Sequence, residues 1–287
     1  MCGFVSVIDP KNKLSLSHLI EMRDTLTHRG PDGAGHWEYE FNEKSIKMGF
    51  RRLAIIDTRE IANQPMQIGD YVINFNGEIY NYVELKTTLK SLGRSFKTNS
   101  DTEVLLQCYQ QWGDAMMKKI NGMFSFTIWD DIEKVLFVCR DRLGEKPLFF
   151  SKIIDGSIIF ASEIKAILAH PSVFANFNLD IFENILLNQD AIFGSEKTLF
   201  RNIEQFPSAT FMKFNINGEL IKKEKYWEPT YEVHDEDISI IKTKLFDKLK
   251  NSINLRVRSD VPVTSALSGG LDSSILVSLL SNKSNNL

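Results

Sequence analysis

The sequence predicts an α+β domain with largely antiparallel sheets, followed by the opening of an α/β domain with a parallel sheet. Three observations carry this. Short alternating or apolar runs, rich in β-branched and aromatic residues, crowd the first part of the chain, with few helices between them. After about Lys213 the pattern changes to turn-forming and acidic stretches and then to a long amphipathic helix. A strand-like run, a glycine turn and an apolar helix close the chain, the order of a βα unit.

The strand runs are Cys2 to Ile8, Ile46 to Phe50, Leu53 to Ile56, Tyr71 to Asn76, Met123 to Trp129 and Lys134 to Cys139. Asp130 and Asp131 are turn formers between the last two runs and predict a hairpin. Helices are expected at roughly Ser17 to Leu26, at Asn81 to Leu92 with Gly93 as a stop, and at Thr102 to Trp112. The last is the clearest, because Ser100 and Glu103 spell an S-x-x-E capping box and Gly113 ends the run. Val104, Leu105, Cys108 and Trp112 then share one face. Asn215 to Glu219 has turn composition, and the acidic stretch Tyr231 to Asp237 reads as a connection. Ile238, Ile241, Leu245, Leu249 and Ile253 recur at helical spacing, which predicts a helix docking its apolar face on its own domain. Val261 to Leu267 is the closing strand and Ser273 to Leu280 the closing helix, before the polar tail Ser281 to Leu287. The expected division is one domain over residues 2–213, a connection over 214–236 and the start of a second domain over 237–287. A chain of 287 residues exceeds the roughly 100–200 residues of one domain.

Composition excludes more than it identifies. The 43% hydrophobic and 25% charged fractions are those of ordinary globular proteins, so disorder and fibrous classes are excluded. A net charge of −3 with dispersed Lys and Arg gives no reason to expect nucleic acid or an anionic membrane as partner. Cys2, Cys108 and Cys139 show no disulfide or zinc spacing, which points to a reducing, cytoplasmic setting. No export signal is read at the N-terminus, and no apolar run approaches the ~20 residues that span a bilayer. The five histidines show no ligand spacing, so no structural metal is expected. Cys108 and Cys139 read as core residues.

Cys2 is different. Trimming of Met1 before a small residue would expose it as the N-terminus, placing a thiol and an α-amine on one residue. The amine titrates near ~7.7–8.0 and the thiol near ~8.5, so one residue can supply nucleophile and base. An incidental cysteine is the alternative until the downstream motifs are considered.

Those motifs are His28-Arg29-Gly30-Pro31-Asp32-Gly33, Arg52-Leu53-Ala54-Ile55-Ile56-Asp57 and Asn76-Gly77-Glu78-Ile79-Tyr80-Asn81. With Cys2 they resemble class II glutamine amidotransferases. Their order, with Arg140-Asp141-Arg142-Leu143-Gly144-Glu145-Lys146-Pro147-Leu148 and Ala161-Ser162-Glu163-Ile164-Lys165, is similar to that of glutamine-hydrolysing asparagine synthetases, from Cys2 to the chain end. The resemblance implies an N-terminal-nucleophile αββα sandwich. It also implies a glutamine pocket formed by Arg52, Leu53, Ala54, Ile55, Ile56, Asn76, Gly77, Glu78 and Asp101. The chemistry agrees: a free amino acid's carboxylate suits a two-pronged guanidinium, here Arg52, and its ammonium suits a carboxylate, here Asp101. Asp101 starts a capped helix, whose dipole should help keep it ionised; simple capping is its structural alternative. By resemblance, the Asn76 side-chain amide and the Gly77 N–H stabilise the tetrahedral oxyanion. Glycine at 77 also allows close backbone approach, although an Asn-Gly pair can be a plain turn. His28 to Gly33 is expected to be a mobile flap over the substrate, or else a structural turn.

Leu267-Ser268-Gly269-Gly270-Leu271-Asp272-Ser273-Ser274 lies between the closing strand and helix, where N–H groups can cradle phosphate. It is not a Walker A loop, since no Gly-Lys-Ser/Thr follows. S-G-G-x-D-S resembles the pyrophosphate loop of ATP pyrophosphatases, with a generic Ser/Gly turn as the alternative. The resemblance implies ATP with Mg2+ as co-substrate, no tightly bound cofactor, and L-glutamine and L-aspartate as further substrates, with ammonia amidating aspartyl-AMP. Since one strand, loop and helix cannot build a parallel sheet covered on both faces, the expectation is a fragment or natural truncation that retains glutaminase activity. Another carboxylate acceptor, such as a sugar acid, is the second reading, and a non-catalytic subunit with Met1 retained is the third. The ATP-type loop disfavours relatives that transfer ammonia to phosphoribosyl or sugar phosphate substrates. A homodimer is compatible with the sequence, which leaves the oligomeric state open.

Overall fold

The computed structural model describes residues 1–188, 194–232 and 235–281. These form two compact units, Met1–Ala54 with Arg59–Glu228, and Ile55–Thr58 with Pro229–Leu287. Residues 233–234 of the acidic connection and 282–287 of the polar tail lie outside the described residues.

In the first unit the chain runs through β1 (Gly3–Asp9), α1 (Leu16–Asp24), β2 (Gly33–Phe41), β3 (Lys44–Arg52), β4 (Met66–Ile68), β5 (Tyr71–Ile79), α2 (Tyr82–Ser91) and α3 (Asp101–Trp112). It continues through β6 (Gly122–Asp130), β7 (Val135–Arg140), β8 (Phe149–Lys152), β9 (Ile158–Ala161), α4 (Ile164–Leu168), α5 (Leu179–Leu187), β10 (Glu204–Gln205), β11 (Thr210–Asn215) and β12 (Leu220–Lys225). One sheet has the order β10-β8-β9-β1-β3-β2 and the other β12-β11-β7-β6-β5-β4. The ladders are antiparallel.

Side-chain alternation sorts the strands into layers. Phe4 and Ile8 of β1 meet Trp129, Leu136, Val138 and Met212 of the other sheet in the central core. Val5 and Val7, one residue out of phase, pack with Leu19, Met22 and Ile167 of α1 and α4. Phe75, Phe124, Phe126 and Phe137 point the other way and pack with Leu89, Val104 and Cys108 of α2 and α3. Helix, sheet, sheet, helix is the αββα sandwich implied by the resemblance. The expected core cysteines lie here: burial raises the Cys108 thiol to about 12 and Cys139 well above its usual range.

The β6–β7 hairpin forms as the aspartates predict. Several expectations are corrected. Leu53 to Ile56 is not a strand, because the chain leaves the sheet after Arg52. The half-exposed edge strand β2, with a mixed pattern, and the short strands β8 to β12 were not legible. Ser100 accepts from Thr102 N at 3.1 Å as an N-cap. Glu103 does not complete a capping box: its carboxylate accepts instead from Lys97 N at 2.9 Å and Thr98 N at 2.6 Å, fixing the approach to α3. Asn215 to Glu219 is a turn, and it joins β11 to β12 within the first unit.

In the second unit, α6 (Ile238–Arg256) is capped by Asp237 and is followed by α7 (Leu271–Ser281). Val261 to Leu267 is not a strand but irregular and largely exposed backbone. A parallel strand needs neighbours for its N–H and C=O groups, and no described strand pairs with it. The apolar side of α6 was expected to dock on its own domain. Ile238, Ile241, Leu245 and Leu249 remain exposed, and Ile253 alone among the helix's residues is buried.

Candidate active site

Cys2 precedes β1 at one end of the inter-sheet layer and packs against the central core. Its thiol sits between the polar groups of Leu53: Leu53 N–H donates to Sγ at 3.3 Å, and Sγ lies 3.5 Å from Leu53 O. Burial pushes the Cys2 thiol up, opposed by the Leu53 N–H, the terminal amine and the Arg52 charge. A thiol so shielded needs a base beside it.

Asn76 and Gly77 lie within β5, opposite Ser125 and Phe124 of β6, so the plain Asn-Gly turn is not formed. Register places Asn76 at the Cys2 end. Two residues back, Asn74 Nδ2 donates to Val5 O at 3.1 Å, while Ser125 Oγ bonds Pro147 O at 3.2 Å, next to Lys146. Asn76 is 1% exposed, and its Nδ2 has no hydrogen-bond partner among the described residues. A buried amide N–H without an acceptor costs free energy, so a group supplied by a ligand would relieve it. Asn74 Oδ1 is also unmatched, but it is an acceptor deeper in the layer, where its amide bridges the sheets to Val5, Ser6 and Gly49. Glycine at 77 answers the sheet first: a Cβ would lie 2.2 Å from Met123 O and 2.7 Å from Phe124 Cα.

Arg52 ends β3, with its guanidinium held by Arg59 O at 2.9 Å and Asn63 Oδ1 at 2.8 Å. Asp101 opens α3, is 5% exposed and accepts from Ile79 N at 3.0 Å. Burial, reinforced by Glu78, pushes it up to about 7, against the Ile79 N–H. The expectation that the helix start keeps Asp101 ionised is corrected, since desolvation outweighs the dipole here. Glu78 is likewise raised by burial and opposed by Lys146. The charges of Arg52 and Asp101 both act on the Cys2 thiol, which brings guanidinium, carboxylate and nucleophile into one site. Ala54 N donates to Asp32 at 2.9 Å. Ile55 and Ile56 belong to the second compact unit, where Ile55 O accepts from Asp260 N at 3.0 Å.

Two further motif segments flank the site. His28 to Gly33, expected as a flap or a structural turn, is anchored at Arg29 and Gly30. Arg29 donates to Cys2 O at 2.8 Å and to Glu163 at 2.9 Å, and a Cβ on Gly30 would lie 2.2 Å from Arg51 C. Asp141 to Pro147, which follows β7 and was given no role from sequence, is a loop wound around Asp141. Its carboxylate accepts from the N–H groups of Phe124, Leu143, Glu145 and Lys146. The dense polar and glycine content of that motif was the available signal.

The Ser268–Ser274 loop leads into the N-terminus of α7. Gly269 has a φ of +81° and open space where a Cβ would stand. Ser268 Oγ and Ser273 Oγ lie 3.0 Å apart, and Ser274 Oγ donates to Gly270 O at 2.8 Å. Among the described residues there is no group of three or more His, Cys, Asp or Glu side chains able to hold a metal ion, and no helix is long and apolar enough to cross a membrane.

Residues 1–227 match the family model described as glutamine amidotransferase domain, and residues 244–287 match that described as asparagine synthase. The chain is 35% identical to asparagine synthetase [glutamine-hydrolyzing] 3 of Bacillus subtilis (97% of this chain, 45% of that one) and 37% identical to synthetase 1 of the same organism (97% and 44%). It is 35% identical to a putative asparagine synthetase [glutamine-hydrolyzing] 2 of Methanocaldococcus jannaschii (98% and 57%). It spans about half the length of these relatives. Glutamine PRPP amidotransferase from B. subtilis shares its fold, with a TM-score of 0.57 at 20% identity over 79% of this chain and 50% of that one. Over residues 1–227, the chain belongs to the glutamine amidotransferase domain family.

Proposed function

We propose that the first unit hydrolyses L-glutamine to glutamate and ammonia. The unpartnered Asn76 amide, buried at the Cys2 end of the sandwich, is the observation that carries this reading. The Cys2 thiol, freed of Met1, attacks the side-chain amide carbon, and its own α-amine takes the thiol proton. The oxyanion that forms takes hydrogen bonds from Asn76 Nδ2 and the Gly77 N–H. The amine returns its proton to the leaving nitrogen, and water releases glutamate from the thioester. Arg52 takes the substrate carboxylate, Asp101 and Glu78 its ammonium group, and Leu53 and Ala54 the remaining wall.

The ammonia would amidate aspartate, activated by ATP as aspartyl-AMP, in a synthetase domain of which residues 237–287 are the start. Leu267 to Ser274 would face the ATP phosphates: the left-handed Gly269, open to approach, and the α7 N-terminus suit an anion. Mg2+ would accompany ATP, and a cytoplasmic setting fits these metabolites. The names and the shared stretch of the relatives support aspartate as acceptor over a sugar acid. Purified protein should release glutamate from glutamine, and Cys2→Ala should lower the rate by more than about 10³-fold. Equal rates in the two proteins would refute the assignment.

A further inference from the structure

The segment Ala161-Ser162-Glu163-Ile164-Lys165 carries no part of the proposed reaction, yet it grips the start of β1 beside the nucleophile. Ser162 Oγ accepts from Phe4 N at 3.1 Å, and Ser162 N donates to Phe4 O at 3.0 Å. One residue further, Glu163 Oε1 accepts from Arg29 Nη1 at 2.9 Å, and Arg29 Nε donates to Cys2 O at 2.8 Å. One guanidinium thus joins a carboxylate to the backbone of the nucleophile itself, through a carbonyl that stays when Met1 is trimmed. The Arg29 side chain is 8% exposed and that of Glu163 25%, and a guanidinium this buried keeps its place only while its charge is paired. Glycine at 3 leaves it room to pass: a Cβ there would lie 3.1 Å from Arg29 Cδ. His28 Nε2 and Lys165 Nζ reach the same carboxylate from its more open side, at 2.9 and 3.3 Å.

Resting on the glutaminase reading above, we propose that Glu163 is a positioning residue for the reaction: by holding Arg29 against Cys2 O, it fixes the carbonyl plane from which the thiol and α-amine of the nucleophile are directed. A first residue has no peptide bond before it, so its orientation is set by the peptide plane that follows and by the torsion between that plane and Cα. Arg29 fixes the plane, and the Leu53 N–H, 3.3 Å from Sγ, restrains the torsion through its hold on the thiol. The amine is thereby placed as well. Without the carboxylate, the guanidinium turns toward water to be solvated and releases Cys2 O. The charged ends of the substrate are assigned to Arg52 and Asp101, so the loss falls on the chemical step and spares binding.

The test is a double-mutant cycle on glutamine hydrolysis, read as kcat and KM per folded chain. Glu163→Gln should lower kcat by about 10- to 100-fold and leave KM within about 2-fold of wild type. Arg29→Met should lose at least as much. The double variant should match Arg29→Met alone within about 2-fold, because the carboxylate acts through the guanidinium. Glu163→Ala carries the same expectations should the glutamine variant not fold. Losses that multiply in the double variant, an unchanged kcat in a folded Glu163 variant, or a loss confined to KM would overturn the proposal while leaving the glutaminase reading intact. Wild-type protein without activity would instead sink that reading.

Discussion

Each residue of the site carries a separable expectation. Asn76 holds a buried donor that no described residue satisfies, so its worth lies in the transition state rather than in the fold. Asn76→Ala should lower kcat by about 10²–10³-fold, about 2.7–4 kcal/mol, while KM changes little. Its Tm should hold or rise, because an unmatched buried donor is removed. A large fall in Tm would show that the amide is structural. Asp101, raised to about 7 by burial, binds an ammonium group only as the carboxylate. For wild-type protein, kcat/KM for glutamine should therefore fall as pH drops through about 7, chiefly through KM, and Asp101→Asn should be weak and flat over that range. The stability consequence has the opposite sense. A carboxyl with its folded pKa raised favours the fold at low pH, and that contribution is lost as pH rises from about 4 through about 7. Asp101→Asn should thus gain stability relative to wild type between pH 5 and 8.5, on the order of 1 kcal/mol or about 2–4 °C in Tm. A Tm difference that does not vary with pH would contradict the raised carboxyl.

At the scale of elements, the site is made where β1, β5, the end of β3, the start of α3 and the Asp141 loop converge. Gly77 illustrates how little freedom the strands leave. A Cβ would strike Met123 O and Phe124 Cα of β6, so Gly77→Ala should destabilise the β5–β6 pair by at least about 1–3 kcal/mol, read as a lowered Tm. An unchanged Tm would show that β6 yields easily. The elements most legible in sequence were those with a strong period or a cap: β1, β5, β6, β7, α1, α2 and α3. Their central strands are buried on both faces, so buried side chains follow one another along them. Residue types at the site were legible for the same chemical reason that selects them, a guanidinium for a carboxylate and an amide for an oxyanion. What sequence missed depends on distant contacts. Glu103 reaches back to Thr98 instead of capping its own helix, Asn81 clamps Asn121 and Lys119, and Asn74 bridges two sheets. The sign of the Asp101 shift was misread because a helix start is local, whereas burial is set by the whole sandwich.

Across the whole molecule, order is concentrated in the first unit. Its three cores bury aromatic and aliphatic side chains from both sheets, whereas α6 and α7 face one another across a groove lined by Leu245, Leu249, Ile275 and Leu279 and leave most apolar side chains exposed. Amide hydrogen exchange of the intact chain should therefore show strong protection in β1, β5, β6 and β7 and protection weaker by orders of magnitude in α6 and α7. Equal protection would mean that the second unit has a core of its own. The proposed chemistry depends on a first residue that carries both sulfur and base. Its most direct test is to treat the protein with a diazoketone analogue of glutamine and read the intact and peptide masses. The adduct should appear once per chain, on a peptide that begins at Cys2 without Met1, and in step with the loss of glutaminase activity. An adduct on another residue, or full activity in protein that still carries Met1, would contradict it.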